Sequence, residues 1–199
     1  MPHASPESDL HSMKQFAKAS EAVESVLLSE EEIAKICDRL AAQITEDYLH
    51  STRKLVVVCI MKGSIMFCTE LMKRIDLPME FDCMRVSSYH NGTVQTGNIV
   101  IRLDLDRKDL SECDILIIED IIDSGRTLYH LTNHLRDRGA SSVRTCTLLD
   151  KPSRREVDFT PDYVGAEIPD KFVVGFGLDF AEVFRNLPFI GVLKPEYYA

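Results

Sequence analysis

One segment of thirteen residues limits the possible folds more than any other part of the chain. It runs from Ile115 to Thr127 and reads Ile-Leu-Ile-Ile-Glu-Asp-Ile-Ile-Asp-Ser-Gly-Arg-Thr. The apolar run at its start predicts a strand that is buried on both faces, and the small residues near its end predict a turn into a helix. Its acidic side chains then lie at the carboxyl end of a strand, where open α/β sheets bind ligands.

The rest of the chain alternates between strand and helix patterns. Ser29 and Glu32 have the spacing of a capping box, and apolar residues then repeat at helical spacing as far as Tyr48. Gly139 is placed to end a later helix. We predict strands at about 55–60, 80–86, 99–103, 115–119, 143–149, 163–168, 172–174 and 189–193, and helices at about 33–48, 64–74 and 126–138.

This alternation predicts an α/β fold with a mainly parallel, twisted sheet flanked by helices and joined by right-handed crossovers. The polar stretch from Ser87 to Asn98 is longer than most connections in compact domains, so we predict a loop there that is mobile or closes over a ligand. No internal repeat and no low-complexity linker divides the chain.

Length and composition favour one globular domain. The chain has 199 residues, of which 45% are hydrophobic and 28% are charged. We assign the domain to residues 21–199, because residues 1–20 are polar and weakly periodic and predict a disordered tail. The net charge of −9 argues against general affinity for nucleic acid, since there is no basic surplus to displace counterions.

The targeting and cysteine patterns predict a cytoplasmic protein. The first residues lack a basic stretch followed by an apolar one, so we predict no signal peptide. No apolar run approaches the length that spans a membrane. The six cysteines are far apart, without a C-x-x-C pair. We therefore expect buried thiols in a reducing compartment and not a disulfide framework.

The acids and the turn that follow Ile118 have two interpretations. Glu119 and Asp120 repel each other, which costs stability unless a cation or sugar hydroxyls meet them, and carboxylates there can bind Mg²⁺. Successive N–H groups from Asp123 to Thr127 can surround a phosphate at the helix start. Alternatively, the Asp and Ser side chains cap the helix and satisfy its own backbone. The turn alone fits both interpretations equally, and the acid pair favours the ligand site.

Other candidate residues also have plain structural interpretations. A Lys-Gly pair after a strand, such as Lys62-Gly63, is usually an ordinary turn, and a lysine at a strand end, such as Lys151, is usually solvated. Val174 is expected in the core. His130 and His134 have the i, i+4 spacing of zinc ligands, but no Glu follows His130 and no third ligand is evident, so zinc ranks below ordinary histidines.

The segment Ile117–Thr127 resembles the phosphoribosyl pyrophosphate motif of type I phosphoribosyltransferases. From Ser29 to about Val192 the chain resembles, more narrowly, the bacterial hypoxanthine-guanine phosphoribosyltransferases. The resemblance implies the type I phosphoribosyltransferase fold, with a small hood formed by the N- and C-terminal segments. It also implies purine salvage: hypoxanthine or guanine reacts with phosphoribosyl pyrophosphate to give IMP or GMP plus pyrophosphate. Mg²⁺ as cofactor and a homodimer or homotetramer are implied too.

The resemblance assigns roles to the residues around the turn. It implies that Glu119 and Asp120 meet the ribose hydroxyls and Mg²⁺, directly or through water. Asp123 is implied to lie near N7 of the purine and to act as general base or proton relay. The 5′-phosphate cradle would consist of the Asp123 amide with Ser124, Gly125, Arg126 and Thr127.

Further roles fall on three other segments. The backbone of Lys62 and Gly63 is implied to contact pyrophosphate, with a cis peptide between Met61 and Lys62. Arg185 is implied to contact pyrophosphate as well, although an exposed structural arginine is a competing interpretation. A mobile active-site loop is implied to begin at Ser88 and Tyr89, and its closure would exclude water from a reactive sugar cation.

The base itself is assigned to four residues. The resemblance implies that the Lys151 ammonium donates to O6 of a 6-oxopurine, which rejects adenine because an amino group cannot accept that bond. Phe172 would stack on the base, and the Val173 backbone would contact its edge. Asp179 would coordinate a second Mg²⁺ through water and approach the guanine amino group. Hypoxanthine and guanine present the same O6 and N7, so the sequence does not give the preference between them.

Two alternatives stay open at this point. The first is an enzyme of the same fold that acts on xanthine, adenine or a pyrimidine. The second is a regulator that keeps the nucleotide pocket and binds RNA or DNA, which would need a concentrated basic surface. The arginines that could supply such a surface are dispersed in the sequence: Arg136, Arg138, Arg144, Arg154 and Arg155.

Overall fold

The structure is a computed structural model that describes residues 18–89 and 98–198. The chain forms two compact units. The terminal unit consists of residues 18–33 and 171–198, and the sheet unit of Ala34–Asp170. Most of the predicted tail, the centre of the predicted Ser87–Asn98 loop and Ala199 lie outside the described residues. The single domain over 21–199 stays a prediction.

The helices and strands follow the predicted order. They are β1 (Val23–Leu28), α1 (Glu30–Tyr48), β2 (Lys54–Met61), α2 (Ile65–Met72), β3 (Met79–Tyr89), β4 (Asn98–Leu103), β5 (Cys113–Ile122), α3 (Arg126–Asp137), β6 (Ser142–Asp150), β7 (Tyr163–Glu167), β8 (Val173–Val174) and β9 (Ile190–Leu193). Short 3₁₀ helices cover Ala19–Ala22, Pro152–Arg154 and Pro195–Tyr197.

The sheet unit contains a six-stranded sheet in the order β4-β3-β2-β5-β6-β7. All neighbouring strands are parallel except the antiparallel pair β3 and β4. The central strand β5 is buried along nearly its whole length, as expected for a parallel strand that is covered on both faces. This arrangement confirms the predicted α/β fold with a mainly parallel sheet flanked by helices.

The register of the sheet brings three loops to one edge. Cys59 of β2 lies beside Ile118 of β5, and Ile122 of β5 lies beside Asp150 of β6. Because these strands are parallel, the segments that follow them leave the sheet on the same side. Those segments begin at Lys62, Asp123 and Lys151, three of the predicted site residues.

Local signals explain the helix ends. At the start of α1, the Ser29 N–H donates to Glu32 Oε2 at 2.8 Å and the Glu32 N–H donates to Ser29 Oγ at 3.3 Å, which confirms the predicted capping box. Gly139 follows α3 with a φ of 90°, as predicted for its C-terminal glycine. Apolar residues of α3 pack on β2 and β5 in a core that includes Val58, Ile117 and Leu131.

The terminal unit contains an antiparallel sheet in the order β1-β9-β8. Its strands come from both ends of the chain, as the predicted small hood requires. A small core that includes Val174, Phe184 and Leu193 packs beside the sheet. The Val23–Leu28 strand was not predicted, because its sequence has neither a continuous apolar run nor regular alternation, and it is held by pairing with distant β9.

The predicted loop at Ser87–Asn98 is shorter than expected. Ser87, Ser88 and Tyr89 continue β3, and Asn98 begins β4, since the two strands pair from Ser87 with Val100 to Tyr89 with Asn98. Ladder hydrogen bonds between backbones do not require apolar side chains, so a polar sequence did not prevent strand formation. Within the described ranges, none of the helices has the length and apolar character needed to cross a membrane.

Candidate active site

The turn between β5 and α3 is fixed by contacts with the segment after β6. Gly125 has a φ of 82°, and a Cβ added there would be 2.9 Å from Cδ of Arg155. The Ser124 carbonyl accepts from the Glu156 N–H at 3.0 Å. The left-handed backbone and the close approach of Arg155 both require glycine at position 125.

Backbone donors of this turn are available to a ligand. Among the residues that the structure describes, the N–H groups of Ser124, Gly125 and Thr127 donate no hydrogen bond, and no side chain caps α3. The Arg126 N–H reaches Ser124 Oγ only at 3.4 Å. Unpaired N–H groups at a helix start attract anions. The Ser124 side chain thus meets one N–H group of the turn, whereas the N–H groups of Ser124, Gly125 and Thr127 provide the donors that a phosphate site needs.

Two buried carboxylates lie just before this turn. Glu119 and Asp120 are each only 9% exposed. Burial and the charge of Asp120 raise the pKa of Glu119 well above its ordinary value. Asp120 Oδ1 accepts from the Ile121 N–H at 2.8 Å. The carboxylate charge is therefore disfavoured here unless a cation or hydroxyl donors approach.

This acid pair fits a magnesium ion. Mg²⁺ prefers oxygen ligands and is usually held by one or two carboxylates together with substrate phosphates and water. The described part of the chain contains no group of three or more side chains placed to hold a metal by themselves. Two adjacent, buried carboxylates match that mode of binding, in which substrate supplies the remaining ligands.

The loop after β2 packs directly against the acid pair. The Met61–Lys62 peptide is cis, as predicted. A Cβ added to Gly63 would be 1.8 Å from Oδ2 of Asp120. The buried Ser64 fixes the loop, because its Oγ donates to the Ile60 carbonyl at 2.6 Å. The structure therefore brings the predicted pyrophosphate loop and the acid pair together.

Asp123 and Lys151 lie on neighbouring segments. Asp123 Oδ1 accepts from Arg154 Nε at 3.1 Å. Lys151 is only 8% exposed, and its N–H donates to the Ile122 carbonyl at 3.0 Å. Lys151 is therefore not the solvated surface lysine of the plain interpretation. Arg155 donates to the Asp123 carbonyl and pairs with Asp150, which connects the turn to the end of β6.

The predicted residues of the terminal unit form their own contacts. Phe172 is 37% exposed and stacks on Tyr198 with ring centroids 5.0 Å apart, whereas Val173 is buried in β8. Asp179 Oδ1 lies 2.8 Å from a terminal nitrogen of Arg185. Arg185 also donates to the Gly177 carbonyl at 2.7 Å. Their predicted roles toward Mg²⁺ and pyrophosphate stay predictions.

Other predictions on single residues have different outcomes. Ser88 and Tyr89 lie at the end of β3, and their side chains are outside the description. His134 contacts Asp104 at 2.8 Å, and His130 is exposed, so neither takes part in a metal cluster among the described residues. The six cysteines are free thiols, and all except Cys83 are buried.

Sequence reasoning missed three residues near the turn. Arg154 and Arg155 were considered only as dispersed basic residues, although both contact Asp123. Their position three and four residues after Lys151 could have indicated that they lie near the site. Asp170, which lies 3.8 Å from the Lys151 ammonium, follows a strand and the pair Ile168-Pro169, and no sequence pattern pointed to it.

Comparison with known proteins identifies relatives over most of the chain. A family model described as "Phosphoribosyl transferase domain" matches residues 25–181. A hypoxanthine-guanine phosphoribosyltransferase of Staphylococcus aureus is 51% identical over 177 residues, which is 89% of this chain and 97% of that protein. The structure is similar to that of a hypoxanthine phosphoribosyltransferase from Staphylococcus aureus, with a TM-score of 0.84 and 50% identity over 90% of this chain and 96% of that one. A hypoxanthine-guanine phosphoribosyltransferase from Bacillus anthracis has a TM-score of 0.80 and 40% identity over 86% of this chain and 99% of its own.

Proposed function

The chain belongs to the phosphoribosyl transferase domain family, and on that premise we propose which of its residues carry the reaction. The enzyme acts in purine salvage. It transfers the 5-phosphoribosyl group of phosphoribosyl pyrophosphate to hypoxanthine or guanine, which gives IMP or GMP and releases pyrophosphate. In our proposal the turn from Asp123 to Thr127 binds the 5′-phosphate through its backbone donors.

One observation carries the proposal most strongly, namely the contact between Gly63 and the Asp120 carboxylate. Pyrophosphate and ribose hydroxyls are attached to adjacent carbons of one sugar, so their binding groups must lie side by side. We assign the hydroxyls to Glu119 and Asp120, and pyrophosphate to the backbone of Lys62 and Gly63. The two carboxylates also favour the positive charge that develops on the sugar as the bond to pyrophosphate breaks.

The proposal includes Mg²⁺. We assign the ion to Glu119 and Asp120, and when bound it would neutralise charge on the departing pyrophosphate. A second Mg²⁺ contact through water at Asp179 and a pyrophosphate contact at Arg185 belong to the proposal as well. Both assignments rest on the family motif. In the terminal unit the Asp179 and Arg185 side chains form an ion pair.

The purine is assigned to Asp123 and Lys151. Asp123 would manage the proton at N7, and the Lys151 ammonium would donate to O6. The burial of Lys151 supports this role, because a poorly hydrated ammonium gains most from a ligand acceptor. Phe172 is proposed to stack on the base and the Val173 backbone to contact its edge. Ser88 and Tyr89 are proposed to begin the loop that closes over the substrates.

Turnover assays with four bases test the proposal. With saturating phosphoribosyl pyrophosphate and Mg²⁺, we expect IMP from hypoxanthine and GMP from guanine. Adenine should react at least about a hundredfold more slowly, because the Lys151 ammonium finds no acceptor at position 6. Xanthine is included as the nearest competitor. Comparable turnover of adenine would contradict the role of Lys151, and no turnover of either 6-oxopurine would contradict the proposal as a whole.

Two broader features are also proposals. The family resemblance suggests a homodimer or homotetramer in the cytoplasm. Phe81 and Leu103, on β3 and β4, are 52% and 48% exposed, and exposed apolar side chains of this size often lie in subunit contacts. Light scattering of the purified protein would determine the oligomeric state, and a monomer at micromolar concentration would contradict that part.

A further inference from the structure

Four charged side chains of the sheet unit form a row of alternating sign beside the phosphate turn. Lys151 Nζ lies 3.8 Å from Asp170 Oδ1. The other carboxylate oxygen of Asp170 lies 3.7 Å from a terminal nitrogen of Arg154. Arg154 Nε in turn donates to Asp123 Oδ1 at 3.1 Å. Asp170 thus connects the residue assigned to O6 of the purine with the residue assigned to N7.

At the Lys151 end of the row, the ammonium is available to donate to a ligand. The Lys151 side chain is 10% exposed, and Asp170 is the one carboxylate within ion-pair distance of it among the described residues. A buried ammonium needs such a counter-charge. At 3.8 Å the contact is too long for a hydrogen bond, so Asp170 balances the charge without occupying the ammonium's donors.

At the Asp123 end of the row, one carboxylate oxygen is available to accept a proton. Arg154 donates to Oδ1, and within the described ranges no hydrogen bond to Oδ2 of Asp123 is found. A guanidinium that holds one oxygen restricts rotation of the carboxylate and fixes where the second oxygen points. Arg154 therefore orients the Asp123 side chain, which is 44% exposed.

We propose that Asp170 is a positioning residue for the purine. One of its oxygens balances the charge of the Lys151 ammonium that donates to O6, and the other attracts Arg154, which orients Asp123 toward N7. Recognition of the base and placement of the proton acceptor are thereby coupled through one carboxylate. This inference rests on the proposed function, since it needs Lys151 and Asp123 in their assigned roles.

The row contributes to positioning more than to folding. The side chains of Asp170 and Arg154 are 53% and 54% exposed, and ion pairs between exposed side chains contribute little to stability. Variants at either position should therefore fold normally, so changes in their kinetics report on the site.

The first test replaces Asp170 by Asn, which keeps the shape and removes the charge. We expect KM for hypoxanthine to rise about tenfold while KM for phosphoribosyl pyrophosphate stays within about twofold, because only the base contacts Lys151. Asp38→Asn is the matched control, since Asp38 also pairs with an arginine, Arg74, at 2.7 Å and has no assigned role in the site. This control should keep both KM values.

The second test concerns Arg154. Arg154→Gln should lower kcat about fivefold, because Asp123 loses its orienting donor, whereas Arg154→Lys should restore much of that loss by keeping a cation beside Oδ1. Equal kcat values for the Gln and Lys variants would show that the charge is not needed. In that case the coupling through Arg154 is wrong.

Lys151→Gln separates this inference from the proposed function. If Lys151→Gln raises KM for the base and Asp170→Asn does not, the positioning role is wrong and the assignment of Lys151 stands. If Lys151→Gln leaves KM for the base unchanged, the assignment itself is wrong and this inference falls with it. If Asp170→Asn raises both KM values equally or lowers the melting temperature, its role is structural and the inference is wrong.

Discussion

Strand β5 has buried carboxylates near both of its ends, and the surroundings of the two ends differ. At the amino end the Asp114 side chain is 2% exposed. It accepts from Ser51 Oγ at 2.6 Å, from Arg53 Nε at 2.9 Å and from Ser142 Oγ at 2.6 Å. Burial opposes its ionisation, but these hydrogen bonds outweigh burial and lower the pKa of Asp114.

At the carboxyl end the balance is reversed. Burial raises the pKa of Glu119, and its neighbour Asp120 raises it further, since the nearest charge has the same sign. The amino end contains its own donors and cation, so its carboxylate stabilises the fold. At the carboxyl end the Asp120 backbone N–H donates to Glu119 but does not outweigh burial and the like charge, and a magnesium ion or sugar hydroxyls would supply further compensation. The difference separates a structural acid from an acid that we propose to bind Mg²⁺ or sugar hydroxyls on the same strand.

The largest expected effect comes from breaking the chemistry at the carboxyl end. Asp123→Ala should lower kcat by about a hundredfold to a thousandfold, because general acid–base groups typically contribute that much. KM for phosphoribosyl pyrophosphate should change little, since in our proposal backbone donors bind the 5′-phosphate. Steady-state kinetics with hypoxanthine measure both values.

The control for this prediction is Asp123→Asn, which keeps the size of the side chain and removes its basicity. It should lose about as much kcat as the alanine variant. If either variant kept the wild-type kcat, Asp123 would not be the proton acceptor. The carboxyl end of β5 would then differ from the amino end in its electrostatics but not through a catalytic role of Asp123.

The next effect comes from the amino end. Asp114→Asn should lower the free energy of unfolding by about 2–3 kcal/mol, because Arg53 loses its charged partner and the new NH₂ group faces a donor where a carboxylate oxygen accepted a hydrogen bond. Catalysis at the opposite end should be unaffected. Urea denaturation and kcat of the same preparation test both statements, and a large loss of kcat with unchanged stability would contradict the structural role.

Much of the carboxyl end was predictable from the sequence, because its parts are contiguous. The segment from Ile115 to Thr127 contains the strand, both acids, the turn glycine and the helix start in one run. The capping box at Ser29 and the C-terminal glycine at Gly139 are local signals of the same kind. For such features the residues that interact are neighbours in the chain, so spacing alone reveals them.

The rest was not predictable because it depends on contacts between distant segments. Asp114 meets Ser51 and Ser142 only after three segments come together at the amino end of the sheet. The contact of Asp170 with Lys151 spans two loops, and no periodic pattern records it. The β1 strand likewise forms by pairing with β9 near the other end of the chain. Only the folded chain reveals these partners.

A smaller effect is expected from the contact between the two loops of the carboxyl end. In Gly63→Ala, the new Cβ would collide with the Asp120 carboxylate and force it to move. We expect kcat/KM for phosphoribosyl pyrophosphate to fall about tenfold to a hundredfold, as is common for small misplacements in active sites. Gly139→Ala is the control, because a Cβ there meets nothing within 4 Å and only its φ of 90° is strained. Equal losses of activity in both variants would contradict a specific role for Gly63.

The smallest expected effect is a pH dependence at the amino end. Because the folded pKa of Asp114 is depressed below the ordinary value of about 3.9, its stabilisation is complete above that value and is lost as the pH falls through the folded pKa. The difference in unfolding free energy between wild type and Asp114→Asn should therefore stay constant from neutral pH down to about pH 5 and shrink below about pH 4. Urea denaturation at a series of pH values measures this difference. If it stayed constant down to pH 2, neutral hydrogen bonds and not the charge of Asp114 would hold this end of the strand together.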